Sequence, residues 1–143
     1  MAKVNDIIQA KGNQVYSISP DSTVYSALEQ LFEKNISALL VMEGENPSGI
    51  FTERDYARKV VLKGKSSKET LIREIMTSEL ITVPEECTIE DAMRIMTKNH
   101  IRHLPVMKGD KLAGIISIGD VVKYLIEEQQ FIIGTLESYI KGA

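Results

Sequence analysis

Residues 24–61 lie over residues 89–126 at a constant offset of 65, without a gap. Across these 38 positions nine pairs are identical: Ala27/Ala92, Ile36/Ile101, Leu39/Leu104, Val41/Val106, Met42/Met107, Gly44/Gly109, Gly49/Gly114, Ile50/Ile115 and Asp55/Asp120. Most other pairs keep their apolar or polar character. Upstream, Pro20 answers Pro84 at an offset of 64, and Asp6-Ile7 answers Glu74-Ile75 at 68, which places the insertions in connecting loops. The chain is therefore read as an internal duplication. A unit of about 60 residues is small to be stable alone, so the two copies are expected to bury their sheets against each other.

Each copy reads as the same run of elements. A short lead-in helix (Val4 to Ala10; Leu71 to Met76) precedes an extended stretch ending at a proline (Val15 to Pro20; Leu80 to Pro84). An amphipathic helix follows, with Val24, Ala27, Leu28 and Leu31 at i, i+3, i+4 and i+7, matched by Ile89, Ala92, Met93 and Met96. Ser22 or Thr23, and Thr88, supply its N-cap. A strand then runs Ala38 to Met42, or His103 to Met107. The turn holds Gly44 to Gly49, or Gly109 to Gly114. A second strand (Gly49-Ile50-Phe51; Gly114-Ile115-Ile116) leads to a helix starting near Asp55 or Asp120. Domain limits are expected at 1–66 for the first repeat with its lead-in helix, 67–127 for the second, and 128–143 for a helical tail. In that tail Ile132, Leu136, Tyr139 and Ile140 form an apolar stripe that must pack back or against a partner, and a homodimer is expected.

Composition removes several classes. With 43% hydrophobic and 26% charged residues the chain is globular, and its formal charge of −3 argues against a dedicated nucleic-acid partner. No apolar run reaches the roughly 18–20 residues that cross a bilayer, so no membrane partner is expected. The start has no signal-peptide core, and the expected address is cytoplasmic. Cys87 is the single cysteine and lacks a partner for a disulfide, zinc or redox pair.

The glycine pairs Gly44-x4-Gly49 and Gly109-x4-Gly114 lack the Lys-Ser/Thr of a phosphate loop and lie between two strands, so they read as hairpin turns. His100 and His103 have no further ligands at metal spacing, and adjacent Arg102 would repel a cation. No nucleophile–base pair is assembled, so no catalytic residue, metal or required cofactor is assigned, and the chain is not expected to be an enzyme. The informative pattern is Thr52-Glu-Arg-Asp55 and its equivalent Ser117-Ile-Gly-Asp120, each at a strand-to-helix turn. Either is a capping box: a hydroxyl and a carboxylate that satisfy free N–H groups of the first turn. Repetition at the same point of both copies gives it a second reading. A helix start suits a phosphate, and an ionised Asp beside it can accept both hydroxyls of a ribose. Arg54, Arg58 and Lys59 follow the first motif, and Arg102 and His103 precede a strand in the second copy; they form either a cationic cleft or a solvated helix face.

These residues carry a resemblance. The duplicated unit with Gly49-Ile-Phe-Thr-Glu-Arg-Asp55 and Gly114-Ile-Ile-Ser-Ile-Gly-Asp120, together with Ile101-Arg-His-Leu-Pro-Val106, resembles a tandem pair of cystathionine-beta-synthase (CBS) domains, the Bateman module, from about Val4 to about Glu127. The resemblance implies an α/β (α+β) fold of two β-α-β-β-α repeats packed about a pseudo-twofold axis, with two clefts between the copies. It implies a stand-alone, non-catalytic regulatory module that binds AMP, ADP, ATP or NAD, with S-adenosylmethionine less favoured, and acts on a separate, unknown partner protein as an energy or redox-state sensor. Position by position it implies that Thr52 with Asp55, and Ser117 with Asp120, hold ribose and its phosphate, together with Ile118 and Gly119. Ser17-Ile18 and Ile81-Thr82 would line adenine pockets with Ala38-Leu39 and His103 to Pro105. Arg54, Arg58, Arg102 and His103 would face phosphates. Ser37-Ala38-Leu39-Leu40 lacks the basic pair and proline of Arg102-His-Leu-Pro105, and Arg54 answers Gly119, so the two sites should not be equivalent. The competing expectation is a structural or dimerisation module whose carboxylates only cap helices.

Overall fold

The computed structural model describes residues 1–142; Ala143, the last residue of the expected tail, lies outside them. Copy one comprises α1 (Val4–Lys11), β1 (Ser17–Ile18), α2 (Val24–Lys34), β2 (Ala38–Glu43), β3 (Asn46–Thr52) and α3 (Glu53–Tyr56), which runs on into a π-helical turn, Ala57–Val61. Copy two comprises α4 (Ile72–Ile75), β4 (Val83–Pro84), α5 (Ile89–Asn99), β5 (His103–Lys108), β6 (Lys111–Ser117) and α6 (Ile118–Ile140). Each copy builds a three-stranded sheet, β1-β2-β3 or β4-β5-β6, with a parallel pair first and an antiparallel hairpin second. The registers repeat: Ala38 faces Thr52 as His103 faces Ser117, and both hairpins carry a bulge, at Val41/Met42 and Val106/Met107.

Local chemistry explains the elements. Thr23 and Thr88 cap α2 and α5, their hydroxyls accepting from the N–H groups of Ser26 and Asp91; Ser22 is not the cap. Val24, Ala27 and Leu31, like Ile89, Ala92 and Met96, turn one helix face onto the sheet. Both helices end in a left-handed residue, Asn35 and His100, each of them a C-cap. The hairpin turns are tighter than the spacing suggested. β3 already begins at Asn46, Gly44 and Gly109 take φ +64 at the turn, and Gly49 and Gly114 lie inside strands.

The lead-in helices are exchanged. Val4, Ile7 and Ile8 of α1 are buried with Val83, Ile89, Leu104, Val106 and Ile116, the core of copy two. Ile72 and Ile75 of α4 are buried with Val24, Leu39, Val41, Phe51 and Val60, the core of copy one. Backbone bonds fix the exchange: Val4 N–H donates to Cys87 O (2.8 Å), and Ile72 N–H to Ser22 O (2.8 Å). After α4 the chain pairs with β3, Ile50 and Thr77 exchanging N–H···O bonds of 3.0 and 2.9 Å. The close approach explains two glycines. A Cβ on Gly49 would stand 2.8 Å from the Thr77 carbonyl, and one on Gly114 2.7 Å from Ile8 Cδ1.

Candidate functional site

A cleft of about 580 Å³ opens between the copies. Copy one lines it with Ser37 and Ile50, with Thr52 to Asp55, and with Arg58 and Lys59. Copy two lines it with Thr77, with Glu79 to Ile81, and with His100 to His103 and Pro105. Eight of the expected site residues therefore meet: Thr52, Arg54, Asp55, Arg58, Ile81, Arg102, His103 and Pro105. The strand-to-helix turn after β3 sets Thr52 and Asp55 at its wall. The end of α5 and the entry to β5 set Arg102 and His103 there.

The turn is tightly bonded. Asp55 is 7% exposed. Its Oδ2 accepts from Thr52 N–H (3.0 Å) and Thr52 Oγ1 (3.1 Å), while Asp55 N–H donates to Thr52 Oγ1 (3.2 Å). Its Oδ1 accepts from Thr77 Oγ1 (3.1 Å) and the Lys59 ammonium (3.1 Å). Lys59 also donates to the Ile75 carbonyl (3.1 Å), which clips the π-helical turn to the exchanged α4. Arg54 Nη1 reaches across the copies to the His100 carbonyl (3.0 Å). The cleft thus gathers Arg54, Arg58, Lys59 and Arg102 against Glu53, Asp55 and Glu79, a cationic balance within an acidic chain.

The second turn repeats the cap with a different neighbour. Asp120 Oδ2 accepts from Ser117 N–H (2.8 Å) and from the Lys11 ammonium (2.7 Å), which also donates to the Ile115 carbonyl (3.0 Å). Burial alone would raise the Asp120 pKa; the bonds from Lys11 and Ser117 more than offset it and hold the carboxyl below its usual value. Between the two turns His103 Nε2 lies 3.2 Å from Ser37 Oγ. Burial lowers the His103 pKa; Asp120 opposes that, and Lys11 and Arg102 reinforce it. Burial, followed by Asp91, raises the Cys87 thiol, the reverse of what a nucleophile needs.

The remaining expected residues lie elsewhere. Ile118 and Gly119 border a shallow groove along α6 with Val122 and Lys123. Ser17 and Thr82 are exposed, and Ile18 packs partly against the first core. Ala38 is buried at 9% exposure, and Leu39 is wholly buried in that core, so only its backbone is left to face a ligand. Sequence reasoning missed Thr77 and Lys11 as partners of the two carboxylates and Glu79 as part of the cleft lining. The offset of 68 that matches the lead-in helices sets Lys11 and Glu79 at equivalent positions and carries no signal of what either one approaches. Among the described residues no three His, Cys, Asp or Glu side chains converge as a metal site requires, and no helix is long and apolar enough to cross a membrane.

The CBS domain model matches residues 4–62 and 72–127. The Arabidopsis thaliana protein CBSX3, a mitochondrial CBS domain-containing protein, is 40% identical over 148 residues, covering 97% of this chain and 72% of its own. A protein with CBS domains from Burkholderia ambifaria MC40-6 superposes with a TM-score of 0.87 at 46% identity, over 90% of this chain and 96% of that one. The CBS domain pair of protein MJ0100, solved in complex with 5-methylthioadenosine and S-adenosyl-L-methionine, shares the fold at a TM-score of 0.78 and 24% identity, over 90% of this chain and 98% of that one.

Proposed function

The chain belongs to the CBS domain family as a paired regulatory module, and on that premise we propose that it senses an adenosine nucleotide in the cleft between its copies and acts on a separate protein without catalysis. One observation carries this reading: a cleft of about 580 Å³ is lined by both copies at once, with a hydroxyl–carboxylate turn on one wall and Arg102 and His103 on the other. A volume of that size suits a nucleotide. A ligand touching both walls favours one relative placement of the copies, and affinity for a partner changes by the difference in contacts between placements.

The charges narrow the ligand. Four cations at the cleft favour phosphate-bearing ligands, AMP, ADP, ATP or NAD, over the sulfonium of S-adenosylmethionine. The MJ0100 pair supports adenosine binding by this fold and speaks for no particular ligand here. Calorimetric titration of the purified chain with AMP, ATP, NAD and S-adenosylmethionine tests the reading. Saturable heat from the phosphate-bearing ligands is expected, strongest where phosphate charge is greatest. Silence across the panel at millimolar ligand would overturn it.

A second reading, a dimerisation module with no physiological ligand, is favoured by the exposed apolar face of α6. Homodimer formation belongs to both readings, so the titrations discriminate. The cytoplasmic address stays a proposal, since the Arabidopsis relative is mitochondrial.

A further inference from the structure

We infer that the cleft binds its phosphate together with a proton, and that the imidazole of His103 takes that proton up from solvent. This rests on the nucleotide reading above and adds its regulation: the module responds to nucleotide and to acidity as one signal.

Among the side-chain types that line the cleft, only imidazole ordinarily changes charge between about pH 5 and 8. The chain has two, and the structure sets them apart. His100 is exposed at the left-handed end of α5, where its carbonyl is held by Arg54 Nη1 at 3.0 Å. His103 is half-buried at the start of β5, with Nε2 3.2 Å from the Ser37 hydroxyl of the other copy. A hydroxyl can donate to a neutral imidazole nitrogen or accept from a protonated one. Ser37 therefore holds the ring in place in either charge state.

The protein's own charges favour the neutral ring. Burial lowers the His103 pKa most; Asp120 at the start of α6 opposes that, and Lys11 at the end of α1 and the adjacent Arg102 reinforce it. The cleft walls add Arg54, Arg58 and Lys59 against Glu53, Asp55 and Glu79, an even count that leaves Arg102 as the excess charge. A phosphate reverses this balance. Drawn to Arg102, it stands beside the next residue's imidazole, and an opposite charge within about 4–6 Å favours the protonated ring. The free ring titrates below the usual histidine value, and the phosphate raises it. Binding therefore takes up a proton at pH values between the two midpoints. Affinity rises as pH falls through the bound midpoint and levels off below the free one.

The test titrates the full chain and its His103→Gln and His100→Asn variants with the tightest binder among AMP, ATP and NAD, from about pH 8 to about pH 6. Each titration is run calorimetrically in two buffers of different ionisation enthalpy, which reads the protons taken up. The ligand's own ionisation is common to all three chains and cancels in the comparison. The ratio of wild-type to His103→Gln affinity should rise roughly threefold to tenfold across that range, and the wild type should take up more protons than His103→Gln. His100→Asn, which gives copy two the residue type of Asn35 in copy one, should take up as many as the wild type. Equal uptake by the wild type and His103→Gln, or uptake lost as fully in His100→Asn, overturns the assignment. Should His103→Gln fail to fold or to bind, proton NMR of the wild type reads the ring directly, with His100→Asn assigning the signals of the two histidines. The His103 midpoint should move to higher pH with ligand. An unmoved midpoint overturns the coupling while leaving nucleotide binding intact, and a wild-type chain silent to all three ligands overturns both.

Discussion

At the scale of single residues, Gly49 and Gly114 show how one repeated glycine is required for unequal reasons. Both sit in a strand where an exchanged lead-in segment crosses. A Cβ on Gly49 meets the Thr77 carbonyl at 2.8 Å, an atom held in place by its own bond from Ile50 N–H. A Cβ on Gly114 meets the terminal methyl of Ile8 at 2.7 Å, and that methyl can rotate away. Gly49→Ala should therefore cost about 1–3 kcal/mol, as overpacking against backbone does, and Gly114→Ala clearly less. Thermal melts of the two variants check the order; equal losses would show that the Ile8 side chain is as fixed as the backbone. The sequence presented these glycines as hairpin residues. That holds for Gly44 and Gly109 with their positive φ. It could not show the true role of the other two, because the atoms they accommodate come from another part of the chain.

At the scale of elements the same limit recurs. The duplication, the order of helices and strands, the Thr23 and Thr88 caps and the capping boxes at Thr52 and Ser117 were all legible, because each depends on neighbours a few residues away. The meeting of Thr52 and Asp55 with Arg102 and His103 is left open by the sequence, because the basic residues read equally as a cationic cleft or a solvated face. Which sheet a lead-in helix covers was not legible. Val4, Ile7 and Ile8 specify an apolar face and nothing about its destination. The donors on Asp55 Oδ1 went unseen in part for that reason, since Thr77 arrives with the exchanged α4. The exchange has an energetic consequence: neither core is complete without the other copy's helix. Ile72 and Ile7 are buried at 0% and 2% exposure, so Ile72→Ala or Ile7→Ala should cost about 2–5 kcal/mol. Because each helix belongs to one copy and stabilises the other, the loss should appear as a shift of one transition. Denaturant unfolding followed by far-UV circular dichroism and by tyrosine fluorescence should give coincident curves in both variants. Separate transitions would mean that each copy folds by itself.

At the scale of the whole molecule α6 sets the problem. Its 23 residues span about 35 Å, and the part beyond the repeat does not pack back on the body, which leaves the partner alternative from the apolar stripe. Val122, Leu125, Ile126, Phe131, Ile132, Ile133, Leu136, Tyr139 and Ile140 are all exposed, Tyr139 and Ile140 at 85% and 81%. A helical extension this short is marginal in water without tertiary support, and Gly134 weakens it further. Val122, Leu125, Gln129, Ile132, Leu136 and Tyr139 follow the alternating three-and-four spacing of a coiled-coil seam, with one polar position to set register. A second copy of the chain supplies a matching seam without any further partner. Burying a side chain of the size of Leu136 on both sides is worth about 1.5–3 kcal/mol each. Leu136→Glu should therefore convert a particle of twice the 16.0 kDa chain mass into a monomer, with the melting of the two-copy body little changed. Light scattering coupled to gel filtration at tens of micromolar measures both masses. A wild-type monomer, or a variant that still elutes at the doubled mass, would show that the seam does not join two chains. It would leave the helix face open to a different protein.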